Sequence, residues 1–260
     1  MNPLFFGSSN RQLFGAYHAP LKAASARGAA LLCAPWGPEY FVSHRVLRRL
    51  ATRLSEAGYH VLRFDYYGTG DSAGKRQDGD LVSWVQDAAI AADELRDMSG
   101  FETVASFGVR LGAVVAWRLA QQREDVRKVV MWDPVVNGTR YLADLVKAQA
   151  EIDRWSLSGL RNHTTANGTL NLLGCPLTPA MRAGIERVRP AEFQTPITAD
   201  VTLFHSESLP ERAQLVRALE VGGTGFHVEE TSGQTWREDE AQFAGSLPHA
   251  VLERVVELFS

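Results

Sequence analysis

Gly108-Val109-Arg110-Leu111-Gly112 is the stretch of this sequence that decides its fold. A short apolar run, Val104 to Phe107, precedes it, and a largely apolar segment, Ala113 to Gln121, follows it. A glycine at each end of a strand-to-helix connection permits a sharp turn, because no Cβ obstructs the close approach of the backbone. We therefore predict a strand, a tight turn with Arg110 at its apex, and a helix.

Buried strands and amphipathic helices alternate on both sides of this turn. The predicted strands are Leu4 to Phe6 and Gln12 to His18 as a hairpin, then Ala29 to Cys33, Val61 to Phe64, Val104 to Phe107, Val126 to Trp132, Thr198 to Phe204 and Phe226 to Glu229. Helices are predicted from an N-cap at Ser43 to Glu56, after Asp80, from Ala113 to Gln121 and from Pro248 to Phe259. This alternation predicts an α/β fold with a mostly parallel sheet and helices on both faces.

The alternation is interrupted once. Residues 138–196 are predicted to be helix and loop, with helices at Tyr141 to Asp153 and Pro179 to Val188, a segment rich in Asn, Thr and Gly, and no strand of the earlier, buried kind. We interpret this stretch as a small helical cap inserted into the α/β core. The core then consists of residues 1–137 and 197–260.

Composition excludes several classes of function. The net charge of −3 among 260 residues provides no basic surface for nucleic acid or for an anionic membrane. No apolar run reaches the roughly 20 residues of a membrane span, and Met1 to Gly7 does not have the pattern of a signal peptide. Two isolated cysteines form neither a disulfide framework nor a zinc motif. We expect a cytoplasmic protein with a small-molecule substrate and no metal or cofactor; the oligomeric state has no signature in the sequence.

Residues 108–112 resemble the G-x-S-x-G nucleophile elbow of the α/β-hydrolase superfamily, with arginine in place of serine. Residues 65–72, Asp-Tyr-Tyr-Gly-Thr-Gly-Asp-Ser, resemble another loop of that superfamily. The whole chain resembles one branch more closely, the exosortase-associated hydrolase-2-like proteins, which are related to the serine aminopeptidases. The stretches that carry this resemblance are Ala-Pro-Trp-Gly-Pro-Glu-Tyr (34–40), Leu-Arg-Phe-Asp (62–65), Val-Arg-Leu-Gly (109–112) and Trp-Asp-Pro-Val-Val-Asn-Gly (132–138).

The resemblance implies an α/β-hydrolase fold, and it implies that arginine at the elbow is a feature of the branch. It also implies a place in bacterial polysaccharide or secondary-metabolite biosynthesis. The superfamily order would put the catalytic acid after the strand ending at Phe204 and the histidine after the strand ending near Glu229. The first position offers His205-Ser206-Glu207, and the second offers Ser232-Gly233-Gln234-Thr235-Trp236, with no histidine before His249.

Arginine cannot replace serine as a nucleophile, because its guanidinium stays protonated and offers no lone pair. A Ser-His-Asp mechanism is therefore not expected. Two roles for Arg110 are open. It can bind a carboxylate, a phosphate or a developing oxyanion, or it can form an internal ion pair with Glu39 or Asp133, because a buried arginine needs a partner.

Several other residues follow predicted strands at the edge where open α/β sheets bind ligands. Glu39 and Asp133 are candidates for a general base, with structural pairing as the alternative for each, and His205 is a candidate for proton transfer. We predict substrate contacts from Trp36, Tyr40, Leu111, Gln234 and Trp236.

Three functional hypotheses result. The first is an enzyme that acts without serine on a small acyl or anionic substrate, by hydrolysis, acyl transfer, cyclisation or elimination, with Arg110 as anchor and Glu39 as base. The second is a non-catalytic binding or scaffold protein that kept the fold. The third is serine hydrolysis by a relocated residue, Ser72 or Ser206.

Overall fold

The computed structural model describes residues 1–22, 26–155, 165, 167–206, 210–231 and 249–259. Its strands are β1 (Asn2–Phe6), β2 (Leu13–His18), β3 (Gly28–Cys33), β4 (Tyr59–Phe64), β5 (Val104–Val109), β6 (Val126–Trp132), β7 (Leu170–Leu172), β8 (Cys175–Leu177), β9 (Asp200–His205) and β10 (Phe226–Glu230). Eight of them form one sheet in the order β1-β2-β4-β3-β5-β6-β9-β10. The hairpin β1–β2 and the pair β2–β4 are antiparallel, whereas the pairs from β4 to β10 are parallel. The predicted mostly parallel sheet is confirmed.

The helices are α1 (Pro38–Glu56), α2 (Leu81–Ser99), α3 (Leu111–Gln122), α4 (Gly138–Trp155), α5 (Pro179–Glu186), α6 (Pro210–Gly222) and α7 (His249–Phe259). From β3 the chain crosses to β4 on one side and then returns past β3 to β5 on the other. Because parallel crossovers are right-handed, this reversal puts α1 and α2 on opposite faces of the sheet. Helix α3 packs beside α2, and α7 packs on α1. Helices therefore cover both faces, as predicted.

The central strands lie deep in the core, which explains their continuous apolar sequences. In β3 every residue after Gly28 is buried, and in β6 the last four residues are buried. Strands covered on both faces cannot alternate apolar and polar residues without burying the polar ones. Because β3, β5, β6 and β9 are parallel, their carboxyl ends lie at one edge of the sheet, and the loops that leave them lie there as well.

Helix α1 begins at Pro38, not at Ser43 as predicted. Gly37 has φ 64° and is followed by a proline in the first turn, which suits that position because its fixed φ matches the helix. Ser43 lies inside the helix, where its hydroxyl donates to the carbonyl of Tyr40 over 3.3 Å. Glu39 therefore belongs to the first turn of this helix.

The segment between β6 and β9 contains the predicted helices, with α4 starting at Gly138 and α5 ending at Glu186. The prediction of helix and loop alone is wrong, because β7 and β8 form a two-stranded antiparallel hairpin, which is separate from the main sheet. Strands of three residues are too short to show a period-2 pattern, so the sequence could not reveal them. Helix α6, between β9 and β10, was also not predicted.

Candidate functional site

The turn from β5 into α3, residues 108–112, is called the Arg110 turn below. Arg110 stands immediately before the helix with φ 54° and ψ −117°, a conformation that L-residues rarely adopt. A Cβ at Gly112 would overlap the backbone carbonyls of Cys33 and Ala34, so only glycine fits there. The Arg110 backbone N–H donates to the carbonyl of Trp132 over 3.0 Å. The sharp turn predicted from the two glycines is therefore present, with Arg110 at its apex.

The guanidinium of Arg110 is held between two elements. Its Nε donates to Glu39 Oε1 over 3.0 Å, and its Nη1 donates to the backbone carbonyl of Asp133, also over 3.0 Å. The side chains of Arg110 and Glu39 are only 15% and 7% exposed. Of the two predicted acidic partners, Glu39 makes the ion pair, whereas Asp133 contributes its main chain to this hydrogen bond.

The second oxygen of Glu39, Oε2, accepts a hydrogen bond of 2.8 Å from the hydroxyl of Tyr141. The Tyr141 ring also lies 5.3 Å from the centre of the Arg110 guanidinium, within the range of a cation–π contact. Both Glu39 oxygens are therefore engaged. Tyr141 is a site residue that the sequence does not predict; its one signal is its position at the start of a predicted helix that follows β6.

Electrostatics keep Arg110 charged in this buried position. Burial lowers the pKa of Arg110, but Glu39, Tyr141 and Asp133 together outweigh that effect, so the pKa is raised above its usual value. The group is thus a fixed cation that can attract an anion or polarise an oxygen. To act as a base, Glu39 would first have to exchange a hydrogen bond with Arg110 or Tyr141 for one with the reacting molecule.

Asp133 and His205 come together at the ends of β6 and β9. Asp133 has φ 43°, and its Oδ1 accepts a hydrogen bond of 2.9 Å from the backbone N–H of Ser206. His205 Nδ1 lies 3.9 Å from the same oxygen. Burial lowers the pKa of His205 more than the Asp133 carboxylate raises it. The imidazole is therefore neutral near pH 7, and its Nε2 has no hydrogen-bond partner among the described residues.

The predicted substrate-binding residues do not all line one cavity. Trp36 and Tyr40 line a cavity of about 120 Å³, here called the aromatic cavity, whose walls also include Tyr66, Tyr67 and Trp84. Leu111 is fully buried in the core at the start of α3 and does not line this cavity. Gln234 and Trp236 lie outside the described residues, so their substrate contacts remain predictions.

Two other kinds of feature are missing from the described residues. No group of three or more His, Cys, Asp or Glu side chains is arranged in that part of the chain to hold a metal ion. Within the same residues, no helix combines the length and the apolar composition required to cross a membrane.

Known families and curated proteins resemble parts of the chain. Residues 42–171, half of the chain, match the family model described as Hydrolase_4, serine aminopeptidase S33. Human protein ABHD12B is 35% identical over 99 residues, which cover 36% of this chain and 26% of the human protein. The lysophosphatidylserine lipase ABHD12 of Xenopus tropicalis is 38% identical over 79 residues, which cover 30% of this chain and 19% of the frog protein. The chain thus spans about a quarter or less of the length of these relatives.

Solved structures are similar along nearly the whole chain. Est1E from Butyrivibrio proteoclasticus superposes with a TM-score of 0.66 at 16% identity, covering 99% of this chain and 97% of its own. The proline iminopeptidase-related protein of Thermus thermophilus has a TM-score of 0.65 at 18% identity, and the alignment covers 98% of this chain and 96% of that protein. Mouse α/β hydrolase domain-containing protein 10 gives 0.59 at 16% identity, with 99% and 98% covered. At these identities the similarity concerns the fold alone, and it confirms the predicted α/β-hydrolase fold.

Proposed function

The chain belongs to the serine aminopeptidase S33 family of α/β-hydrolases, and from this premise we propose that it acts on a small acyl-type or anionic substrate without serine chemistry. In this proposal the Arg110 turn is the nucleophile elbow, and Arg110 occupies the serine's place. Its charge anchors a substrate carboxylate or phosphate, or stabilises the oxyanion that develops on a substrate carbonyl. The reaction type stays open among hydrolysis, acyl transfer, cyclisation and elimination, because a fold does not fix a reaction.

A single observation carries the proposal: Arg110 has the strained backbone conformation of an elbow residue, φ 54° and ψ −117°, with its side chain held by hydrogen bonds. Strain of this kind costs free energy, and it tends to persist where a side chain must be presented at a functional edge. The turn therefore supports retention of the site architecture after loss of the nucleophile.

Two observations support the proposed absence of a conventional triad. The sequence from Thr231 to Pro248 contains no histidine that could activate a nucleophile at the elbow. His205 follows β9, where the superfamily order would put the acid, and it lies beside Asp133. We infer that the inherited positions of acid and base no longer serve a serine at residue 110.

Glu39 is assigned two candidate roles in this mechanism. In the first, it is a positioning residue that fixes the plane of the Arg110 guanidinium through its 3.0 Å hydrogen bond. In the second, a bound substrate replaces one of its hydrogen-bond donors, and the carboxylate accepts a proton from a water molecule. Glu39→Gln separates the roles through the pH dependence of kcat, because loss of a base removes the acidic limb of that profile whereas loss of positioning lowers activity without removing the limb.

A specific observation favours the alternative, a non-catalytic binding protein. The buried charges of Arg110 and Glu39 compensate each other, and Tyr141 occupies the second carboxylate oxygen. A closed network of this kind stabilises a fold without any chemistry. The proposed enzyme therefore requires that substrate competes with, or adds to, these contacts.

The test is substrate depletion measured by mass spectrometry. Purified wild-type protein and Arg110→Ala are incubated with a panel of acyl esters, thioesters, lactones and lysophospholipids. The last class is included because the frog relative is named a lysophosphatidylserine lipase. Arg118→Ala is the matched control, since Arg118 on α3 forms a comparably buried ion pair with Glu192. We expect depletion by the wild type and the control, and none by Arg110→Ala.

Two results would contradict the proposal. Ligand binding with no turnover across the panel would identify a binding protein. Labelling of the wild type by a fluorophosphonate serine probe, abolished in Ser72→Ala or Ser206→Ala, would identify a relocated serine hydrolase.

A further inference from the structure

The aromatic cavity lies between three connections of the chain. Trp36 comes from the loop after β3, Tyr66 and Tyr67 from the loop after β4, and Cys175 from the β7–β8 hairpin. Arg110 is not among the described residues that line it. The cavity is therefore a separate feature from the Arg110–Glu39 pair, and ligand binding in it does not depend on catalysis by Arg110.

The walls of the cavity are built from aromatic rings. Tyr66 and Trp84 stack with ring centroids 4.2 Å apart and planes only 6° from parallel. Phe41, at 58% exposure, presents a further ring that also lines the cavity. The backbone of Gly79 packs close to the indole edge, because a Cβ there would press against Trp84 Nε1. Flat apolar walls of this kind favour a ring-bearing ligand, since offset and edge-to-face ring contacts add to apolar burial.

Two polar groups of the cavity have no partner within the described part of the chain. Trp84 Nε1–H is buried and has no hydrogen-bond acceptor there, a costly state that a ligand oxygen or a bound water would relieve. Arg76 also lines the cavity, is exposed, and forms no ion pair or hydrogen bond with a described residue. It is close enough to Cys175 to influence that thiol, whose pKa burial raises and Arg76 lowers.

We propose that the aromatic cavity binds a small aromatic carboxylate, with its ring between the aromatic walls and its carboxylate paired with Arg76. A guanidinium suits this group because its planar N–H donors match the two oxygens of a carboxylate. A carboxylate or neighbouring oxygen of the same ligand accepts from Trp84 Nε1. A purely aliphatic acid would forgo the ring contacts, and a neutral aromatic alcohol would forgo the charge.

The experiment measures binding of 3-phenylpropanoate to the 260-residue chain by isothermal titration calorimetry. We expect Arg76→Ala to weaken binding severalfold, because Arg76 is exposed and exposed charge pairs contribute modestly. Arg127→Ala is the matched control, because Arg127 is an exposed arginine at the opposite, amino-terminal end of β6 and does not line the cavity. Arg127→Ala should bind 3-phenylpropanoate with the same affinity as the wild type. On the wild type, 3-phenylpropan-1-ol and hexanoate should each bind at least about tenfold more weakly.

A second readout locates the ligand. Cys175 lines the cavity at 6% exposure, whereas Cys33 in β3 is 0% exposed, so 3-phenylpropanoate should slow the alkylation of Cys175 by N-ethylmaleimide in the wild type. Trp84→Phe keeps a ring and removes the N–H donor, and it should weaken binding severalfold. Equal affinity of Arg76→Ala and Arg127→Ala, unprotected Cys175, or no binding at millimolar ligand would each overturn the proposal.

Discussion

Replacement of Glu39 by glutamine removes one negative charge from the buried ion pair and keeps a side chain of nearly the same shape. Arg110 then stays protonated in a site where its side chain is only 15% exposed. Loss of one partner of a buried pair typically costs ~3–5 kcal/mol. Because Arg110 retains some solvent contact and glutamine can still accept its hydrogen bond, we expect the free energy of unfolding to fall by about 3 kcal/mol. For a chain of this size that corresponds to a fall in Tm of roughly 6–12 °C.

A double-mutant cycle with Arg110→Gln isolates the interaction. Urea unfolding of the two single variants and the double variant should give a coupling free energy of about 2 kcal/mol. Glu230→Gln is the control, because Glu230 pairs with Arg212 at the surface, with the two side chains 70% and 31% exposed, and should cost no more than about 1 kcal/mol. A loss below about 1 kcal/mol for Glu39→Gln, or additive effects in the cycle, would refute the ion-pair interpretation.

Three further predictions concern stability, pH and thiol reactivity. Gly112→Ala should destabilise the fold by more than about 3 kcal/mol in urea unfolding, because its Cβ would meet backbone carbonyls. The control Gly225→Ala, whose Cβ meets no atom, should change stability by less than about 1 kcal/mol. Similar losses for the two variants would show that the Arg110 turn is not tightly packed. Burial, assisted by Arg63, lowers the pKa of His18 to about 4. The pKa of histidine in the unfolded chain is about 6.5, so the unfolded state takes up a proton at a higher pH than the folded state. The fold therefore keeps its full stability above pH 6.5 and loses stability as the pH falls towards 4. Between pH 7 and 4.5 the free energy of unfolding of His18→Gln should therefore fall by about 2–3 kcal/mol less than that of the wild type. Parallel plots of unfolding free energy against pH for the two proteins would contradict this. Burial raises the pKa of Cys33 to about 12, so maleimide labelling of the folded protein should leave Cys33 unmodified until the chain is unfolded; rapid modification in the native state would refute its placement in the core.

Local patterns were sufficient for most of the fold. Short-range sequence features determine the buried strands, the helix start at Asp80 and the turn at Arg110. The side chain of Asp80 accepts hydrogen bonds from the backbone of Val82 and Ser83. The start of α1 was missed because a serine within an apolar pattern resembles an N-cap, whereas Gly37 and Pro38 begin the helix. The hairpin β7–β8 was missed because it is too short for any periodicity.

The candidate site was less predictable, since its contacts join residues far apart in the chain. Glu39 and Asp133 were both proposed as partners of Arg110, but nothing in their spacing indicates whether a side chain or a carbonyl faces the guanidinium. That choice depends on the conformation of Asp133, whose φ of 43° accompanies a carboxylate that accepts from Ser206. Tyr141 enters the site from the first turn of α4, and no local pattern encodes its hydrogen bond with Glu39, 102 positions away.

By itself, the amino-acid sequence determined that residue 110 cannot be a nucleophile, because protonation of a guanidinium is intrinsic to the side chain. It also determined the turn around that residue, because two glycines permit a backbone approach that other residues obstruct. Only the tertiary structure decided that Arg110 pairs with Glu39 and that Tyr141 closes the network. Those contacts exist because parallel strands bring the loops at their carboxyl ends together, and hydrogen bonds are made between atoms that are close in space, whatever their separation along the chain.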